Sequence, residues 1–320
     1  MNKRSIYKLG IIWLILLTLP VWLPAIGGYT ALGSRVIIYG LAAMGLNLLL
    51  GYTGYPSFGH AAYFGTGAYA TGLAIKFLGF GTPAALLFGV LCGGVIAIIC
   101  GFICVRLKGL YFSMLTIAIG QLFYFIALRW TSVTGGTDGL IGFTAPDLLI
   151  WGTQIKPQGT ALYYLCLLCF AIAVGLMGLI IRSPLGRGFA AVKENELKTK
   201  FLGIHVRRVA WAGFAISGFV VALAGSLNLV LNNFTAPTDL YWILSGEFLI
   251  MAVLGGMGSF WGPLIGAAAF IVIQDYVSSL TVNWLSIIGL FFMIVVLVFP
   301  SGVVGMIGTL KNKYGYFRTH

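Results

Sequence analysis

The sequence contains very little charge. Asp and Glu number 7 and Lys and Arg 19 among 320 residues, so charged residues make up 8% of the chain. A typical soluble domain carries roughly 25%. Hydrophobic residues make up 60%, and the remaining charges are too few to cover a globular core with a solvated surface. The composition excludes a cytosolic enzyme, a secreted disulfide scaffold and a disordered chain, and it predicts a polytopic helical membrane protein.

Several catalytic motifs are also missing. The chain has no Gly-Lys dipeptide, and hence no G-x-x-x-x-G-K-[ST] phosphate loop, and it has neither H-E-x-x-H nor G-x-S-x-G. Its 5 cysteines lie in apolar runs, and the C-x-x-C of Cys166 and Cys169 has no His or acidic neighbour. Small buried side chains explain such cysteines better than a metal or redox site. We expect no enzyme, no catalytic residue, no metal and no cofactor bound by this chain.

Long apolar runs are what the chain does have. A spanning helix needs about 20 mostly apolar residues, and the 45 glycines are typical of closely packed membrane helices. We therefore expect an all-α helical bundle, formed by residues 1–320 as a single membrane domain. The first run follows Lys3, Arg4 and Lys8 like the core of a signal peptide, but the nine runs after it favour a retained helix. The ten expected spans lie near residues 10–27, 35–51, 57–75, 83–105, 110–128, 161–181, 209–231, 242–257, 262–279 and 285–301.

The distribution of basic residues orients the chain. If the N-terminus is inside and the spans alternate, all of the 19 Lys and Arg except Arg35, Lys76, Arg129 and Lys156 fall on the inside. Lys and Arg are enriched in cytoplasmic loops, so both termini are expected in the cytoplasm. The net charge of +12 follows from these loops and gives no reason to expect nucleic acid as a partner.

The inside loop, residues 182–208, contains seven basic residues and the capping signals of a helix. Ser183 and Pro184 suit the N-cap and the first helical position, and Gly203 suits the left-handed residue that ends a helix. We expect one helix between them on the membrane surface, because its charges are too costly to bury in lipid. Charge alone leaves two interpretations open: contact with anionic head groups, or docking of a cytoplasmic partner.

The outside loop, residues 131–160, contains a turn-rich stretch of Thr, Gly and Asp. Thr137 and Asp138 lie in this stretch. They are interpreted either as turn residues or as part of a surface that docks a periplasmic binding protein carrying its substrate. The sequence alone favours neither interpretation.

Four segments, in the family's own order, resemble the permeases of branched-chain amino acid ABC transporters. They are Gly45–Tyr69, Thr134–Leu140, Ser183–Ile204 and Glu247–Pro263. The resemblance extends from about residue 40 to 305 and is nearer the LivM-type permease than its LivH-type partner. The inside loop departs from the family's Glu-Ala-Ala signature, because Phe189 precedes its two alanines.

The resemblance implies a permease subunit of an ATP-driven importer in the bacterial inner membrane, carrying Leu, Ile, Val or related small amino acids. It implies a second, LivH-type permease, two cytoplasmic ATPase subunits that use the ATP, a periplasmic solute-binding protein and surrounding membrane lipid. It also implies that residues 182–208 form the coupling loop, which sits in a groove of an ATPase. The residues expected to couple to the ATPase are Ser183, Pro184, Gly186, Arg187, Lys193, Glu194, Asn195, Glu196 and Gly203.

A candidate solute pathway is indicated by two Gly- and Pro-rich interruptions, Gly54–Gly59 and Gly258–Pro263, that share Ser-Phe. Broken apolar segments in both halves of a transporter point to a solute site near the membrane midplane, although a tight turn explains each one alone. Glu247 is a further candidate, because an ionised carboxylate is costly to bury in lipid. The expected pathway residues are Asn47, Pro56, Ser57, His60, Glu247 and Ser259, with packing as the other interpretation of His60.

Two alternatives stay open. Urea and short amides use closely similar permeases, so the sequence does not name the solute. A secondary transporter or channel that works alone belongs to a different class. Such a protein needs a network of buried ionisable groups that carries a coupling ion. In this sequence only Glu247 and Asp275 could begin that network.

Overall fold

A computed structural model describes residues 3–150, 153–281, 283, 286–291 and 293. Over these residues the fold is a bundle of α-helices with one small β-hairpin. The α-helices are α1 Lys3–Trp22, α2 Thr30–Asn47, α3 His60–Leu78, α4 Thr82–Cys104, α5 Gly109–Arg129, α6 Thr131–Thr134, α7 Gly159–Arg182, α8 Pro184–Glu194, α9 Glu196–Phe201, α10 Val206–Asn232, α11 Trp242–Gly255 and α12 Gly262–Leu280. A π-helical segment, Leu48–Thr53, extends α2, and short 3-10 turns cover Pro24–Ile26, Gly136–Asp138 and Pro237–Leu240.

The predicted all-α membrane class is confirmed. The first nine predicted spans coincide with α1–α5, α7 and α10–α12, and within the described residues 6 helices are long and apolar enough to cross a membrane. The tenth predicted span, 285–301, lies largely outside the described residues. The number of ten spans and the side on which each terminus lies therefore stay predictions. The hairpin, β1 Leu148–Ile150 paired antiparallel with β2 Thr153–Ile155, was not expected and lies in the predicted outside loop.

The centre of the bundle is formed by α2, α3 and α10. In the most apolar stretch of Thr30–Thr53, which is α2 with its π-helical extension, 83% of the residues are buried inside the protein. The corresponding value for α5, at the periphery, is 28%. Glycine allows this close packing: a Cβ on Gly225 of α10 would collide with the carbonyl oxygen of Phe64 in α3. Small residues at such crossings let helix backbones approach closely in membranes.

Helix α3 is long enough to span a membrane, but it is less apolar than the 6 described helices that could cross one by both length and composition. Its sequence is rich in Gly, Ala, Thr and Tyr rather than Leu and Ile. Most of its residues are buried against protein, chiefly against α4 and α10. Because its neighbours shield α3 from lipid, packing rather than hydropathy determines its composition.

The bundle has two contrasting ends. The α8 end is formed by residues 48–59, 105–109, 183–206 and 256–261, which contact one another. The hairpin end is formed by residues 130–150, 153–159 and 233–241, joined by the bridge between Leu140 and Thr235. The two Gly- and Pro-rich interruptions both lie at the α8 end.

The single helix expected in the inside loop is instead two helices, α8 and α9, separated at Asn195. Asn195 has an extended backbone, with φ −162° and ψ 107°, and its side chain accepts a hydrogen bond from Lys198 N in the first turn of α9. Asn is a better N-cap than an interior helical residue, and this preference breaks the helix. The expected end of the helix is confirmed, because Gly203 has a φ of +79°.

Candidate functional site

The turn from α7 into α8 follows the expected capping pattern. Ser183 Oγ accepts a hydrogen bond from Leu185 N at 3.2 Å and donates to Ile180 O at 2.6 Å, with Pro184 at the first helical position. Gly186 is buried where a Cβ would collide with the carbonyl of Ile181. The local sequence therefore ends α7 at Arg182 and begins α8 two residues later, at Pro184.

Helix α8 is amphipathic, and its two faces have different surroundings. Phe189 and Val192 are buried against the bundle, where α8 contacts α7, α10 and the π-helical segment. Arg187 and Glu194 are exposed on the other face. The large apolar residues of α9 and its C-cap face away from the bundle: Leu197, Phe201 and Leu202 are 68%, 85% and 76% exposed.

Lys193 joins α8 to the π-helical extension of α2. Its Nζ donates a hydrogen bond of 2.6 Å to the carbonyl oxygen of Gly51. In an α- or π-helix this oxygen would accept a hydrogen bond from the N–H four or five residues later, that of Tyr55 or Pro56. Pro56 has no N–H, and Tyr55 N donates to Leu49 O instead. The buried Gly51 carbonyl thus receives a charge-assisted bond from the side chain of another helix.

Asn47 joins the same π-helical region to the loop between α11 and α12. Its Nδ2 donates to Ser259 O at 3.1 Å, and its Oδ1 accepts from Gly258 N at 3.3 Å. Asn47 is 2% exposed, so both bonds are shielded from solvent. Through Lys193 and Asn47, residues 47–51 at the end of α2 are hydrogen-bonded both to α8 and to the α11–α12 loop, and we call these bonds the Lys193–Asn47 network.

Glu196, the first residue of α9, ties that helix to two other segments. Its Oε1 accepts a hydrogen bond of 2.8 Å from the Tyr55 hydroxyl, and its Oε2 pairs with Lys108 Nζ from the α4–α5 loop. Burial raises the pKa of Tyr55, so the hydroxyl stays protonated as the donor. A cleft of about 220 Å³ lies beside these residues and is lined by Pro56, Lys193 and Asn195 among others.

His60, at the start of α3, is completely buried and hydrogen-bonded at both ring nitrogens. Nδ1 lies 2.9 Å from Ser57 Oγ, and Nε2 lies 2.7 Å from Ser217 Oγ in α10. Ser217 Oγ donates its only proton to Gly45 O at 2.5 Å, so it accepts from a protonated Nε2. Complete burial disfavours the charged imidazolium, so Nδ1 carries no proton and accepts from Ser57. His60 is therefore held as a neutral ring that ties α3 to α10 and α2, in agreement with its interpretation as a packing residue.

The Gly54–Gly59 interruption is held by side chains that the sequence did not single out. Two side chains of α5 bind its backbone: Ser113 Oγ donates to Pro56 O at 2.7 Å, and Thr116 Oγ1 accepts from Phe58 N at 3.1 Å. Ser245 Oγ of α11 accepts from Ala61 N at 2.7 Å. Isolated Ser and Thr residues in apolar helices give no local sign of these roles, since each depends on which helix lies opposite.

The six expected pathway residues are not brought together in one place. Asn47 and Ser259 are joined in the Lys193–Asn47 network, whereas Ser57 and His60 form a separate group with Ser217. Glu247 is partly buried in α11 and interacts electrostatically with Arg35 of α2. Among the described residues it has no hydrogen bond to any other expected pathway residue. A common solute site stays a prediction.

The two expected docking residues lie at the hairpin end, remote in the chain from α8. Thr137 and Asp138 are exposed in a 3-10 turn, and Thr137 Oγ1 donates to Asp138 Oδ1 at 3.4 Å. Three glycines with positive φ surround them, Gly135, Gly136 and Gly139, so the expected turn chemistry is present. Both side chains remain accessible to a partner at this end.

The geometry describes a polytopic helical membrane protein with an amphipathic helix pair at one end, joined by hydrogen bonds to discontinuities in the membrane helices. Residues 29–299 match the family described as branched-chain amino acid transport system / permease component. Because this match covers most of the chain, the protein belongs to that family. The resemblance inferred from the four sequence segments is confirmed.

Curated relatives agree with this family. The chain is similar to the high-affinity branched-chain amino acid transport system permease protein LivM of Escherichia coli, at 25% identity over 90% of this chain and 73% of the relative. It is similar to a probable LivM of Methanocaldococcus jannaschii, at 23% identity over 83% of this chain and 90% of the relative. For the permease protein BraD of Pseudomonas aeruginosa the identity is 24%, over 83% of this chain and 91% of the relative. No solved structure matches the chain.

Proposed function

We propose that this chain is a membrane permease subunit of an ATP-driven importer for branched-chain amino acids in the bacterial inner membrane. The family and its LivM and BraD relatives support the solute class. ATP hydrolysis belongs to partner subunits, because the sequence contains no phosphate-binding loop. The other expected partners are a second, LivH-type permease and a periplasmic solute-binding protein.

The Lys193–Asn47 network is the observation that supports this function best. An importer driven by a cytoplasmic motor needs a surface that the motor moves and a connection from that surface to the membrane helices. Helix α8 offers exposed charges at Arg187 and Glu194 on one face, and Lys193 connects it to α2 and, through Asn47, to the α11–α12 loop. In this proposal residues 182–208 are the coupling loop and the α8 end faces the cytoplasm.

The neighbouring helix α9 extends the same surface. Its exposed apolar residues, Leu197 and Phe201, lie beside Lys198 and Lys200, and exposed apolar groups rimmed by charge are typical of protein interaction sites. A cleft of about 890 Å³ adjoins them, lined by Tyr55, Lys108 and residues of α9 among others. The ATPase is expected to cover this surface.

The hairpin end is then periplasmic. The exposed Thr137 and Asp138 are proposed to contact the solute-binding protein there. This assignment follows from the distribution of Lys and Arg, which concentrates basic residues in the α8–α9 segment.

Reconstitution tests the proposed function. Proteoliposomes contain this chain, its partner permease and the ATPases, with the binding protein outside and ATP inside. Radiolabelled leucine is expected to accumulate only when ATP and both soluble partners are present. Uptake by this chain alone would contradict the proposal and favour a stand-alone transporter, and accumulation of urea in place of leucine would contradict the proposed solute.

Charge reversal at the coupling surface tests the proposed motor contact. The double variant R187E/E194K keeps the net charge but inverts both exposed charges of α8. We expect loss of ATP-dependent uptake, with unchanged amounts of permease in the membrane, measured by immunoblot and leucine uptake in the same vesicles. The control R129E reverses an exposed charge next to the hairpin end and is expected to keep ATP-dependent leucine uptake, whereas equal losses of uptake in both variants would refute the assignment.

A further inference from the structure

Three arginines converge where the end of α4 meets the start of α10. Arg106 follows α4, while Arg207 and Arg208 lie in the first turn of α10. They line one surface pocket of about 480 Å³, together with Phe102, Val105 and Trp211. No acidic residue is among the residues that line it, and neither of the two ion pairs found in the described part of the chain includes these arginines. We call this the arginine pocket.

The aromatic side chains of the arginine pocket are fixed in place. Trp211 Nε1 donates to Ile98 O at 2.9 Å, so the indole is tied to the backbone of α4. The ring of Phe102 packs edge-on against it at 6.4 Å, and Arg106 lies 4.7 Å above the Phe102 ring. Indole rings and cationic side chains at the ends of membrane helices are typical of the boundary between lipid head groups and hydrocarbon.

An apolar stripe on α4 leads away from the pocket along the length of the helix. Its exposed residues recur every three or four positions, which places them on one helix face: Leu87, Leu91, Val95, Ile99 and Phe102. At 1.5 Å per residue the stripe is about 22 Å long. The hydrocarbon of one leaflet is about 15 Å thick, half of a core of about 30 Å, so an extended acyl chain fits beside it.

We propose that the arginine pocket binds the head group of an anionic phospholipid whose acyl chains lie along this stripe of α4. The unpaired guanidinium groups supply bidentate donors for a phosphate. The uncapped first turn of α10 adds the positive end of a helix dipole. A free phosphate ion would use the arginines alone, and an apolar protein surface would use the stripe alone. A phospholipid is the occupant that uses both.

Native mass spectrometry of the full-length chain, in the assembly purified from membranes, measures this binding. Phosphatidylglycerol and phosphatidylcholine are titrated separately, and each is repeated with inorganic phosphate in excess. Each basic residue near an anionic lipid surface contributes about 1 kcal/mol, or about fivefold in affinity. R207Q/R208Q is therefore expected to bind phosphatidylglycerol about 30-fold more weakly, with the weak binding of phosphatidylcholine unchanged.

A matched control removes the same charge elsewhere. R129Q/K156Q loses two exposed basic residues near the hairpin end, and it is expected to bind phosphatidylglycerol as the unmodified chain does. Equal affinity of R207Q/R208Q and the unmodified chain would overturn the proposal. So would an equal loss in the control, or displacement of the lipid by inorganic phosphate. Lipid binding to the separated chain but not to the assembly would assign the pocket to a protein subunit and also overturn it.

Tryptophan fluorescence locates the lipid independently. Phosphatidylglycerol with brominated acyl chains quenches nearby indoles, and the difference between the unmodified chain and W211F isolates the signal of Trp211. Quenching of this signal is expected to exceed that by brominated phosphatidylcholine at equal concentration, and R207Q/R208Q is expected to abolish the excess. Identical quenching by the two lipids would overturn the proposal even if the mass spectra showed bound lipid.

Discussion

Replacing Lys193 by Met removes the bond that connects α8 to the membrane helices. Met keeps an unbranched apolar side chain of similar length, so the packing of α8 on the π-helical segment is preserved. The lost interaction is the 2.6 Å bond from Nζ to Gly51 O, which leaves a buried carbonyl without its side-chain donor. Hydrogen bonds from charged groups contribute about 1.5–3 kcal/mol. Because Lys193 is exposed over part of its length, we expect the lower part of this range.

The expected consequence concerns coupling rather than folding. If the motion of α8 reaches α2 and the α11–α12 loop through this bond, its loss weakens transmission by about 1.5 kcal/mol, or roughly tenfold in an equilibrium between inward- and outward-facing states. The K193M assembly is expected to hydrolyse ATP near the unmodified rate while leucine uptake falls about tenfold. The ratio of leucine transported to ATP hydrolysed, measured in the same proteoliposomes, reports this change.

Two further variants make the result specific. K198M removes the same charge from α9, where the lysine side chain has no hydrogen-bond partner among the described residues, and it is expected to keep the unmodified ratio. K193R retains a donor and is expected to recover part of the uptake. An unmodified ratio in K193M would refute the reasoning, because the bond would then carry no coupling. Equal loss in K198M would assign the effect to net charge.

Three other changes probe the remaining polar and packing features. E247Q is expected to lower leucine uptake without changing assembly, measured by uptake and co-purification of partners; unmodified uptake would leave Glu247 as a packing residue. S217A leaves buried His60 Nε2 without a partner, so it is expected to destabilise the chain by about 1–3 kcal/mol, seen as a lower midpoint of thermal unfolding in detergent, and an unchanged midpoint would contradict the bond between His60 and Ser217. G225A is expected to destabilise the α3–α10 crossing by about 1–3 kcal/mol, the usual cost of overpacking. The control G246A adds a methyl group where nothing lies within 4 Å, so its midpoint of thermal unfolding is expected to be unchanged or raised. Equal midpoints in the two variants would refute the close-packing argument.

The parts of the fold that depend on local chemistry could be predicted from the sequence. Apolar runs located the nine helices α1–α5, α7 and α10–α12, because a helix in lipid must satisfy its backbone internally over the membrane thickness. Ser183, Pro184 and Gly203 marked the ends of the inside segment, because capping depends on adjacent residues. The break at Asn195 was missed, although Asn is a favoured N-cap, because charged and apolar residues on both sides suit a continuous helix.

The candidate site depends on contacts between distant residues and could be predicted only in part. Lys193 was expected to take part in coupling, but its partner Gly51 lies 142 residues earlier, and no local pattern pairs a lysine with a particular carbonyl. Ser217 has the appearance of a small packing residue, yet it fixes the orientation of His60. Such roles follow from which helix faces which, and that arrangement is determined by packing over the whole bundle.

The low hydropathy of α3 has a consequence for how the protein is made. A segment with so many small and polar residues partitions weakly into lipid by itself, and the imidazole of His60 has its partner Ser217 on another helix, α10. Only residues 79–81 separate α3 from α4, which is far more apolar. Helix α3 is therefore expected to leave the translocon as a hairpin with α4. It then remains at the protein–lipid boundary until α10, synthesised more than a hundred residues later, packs against it.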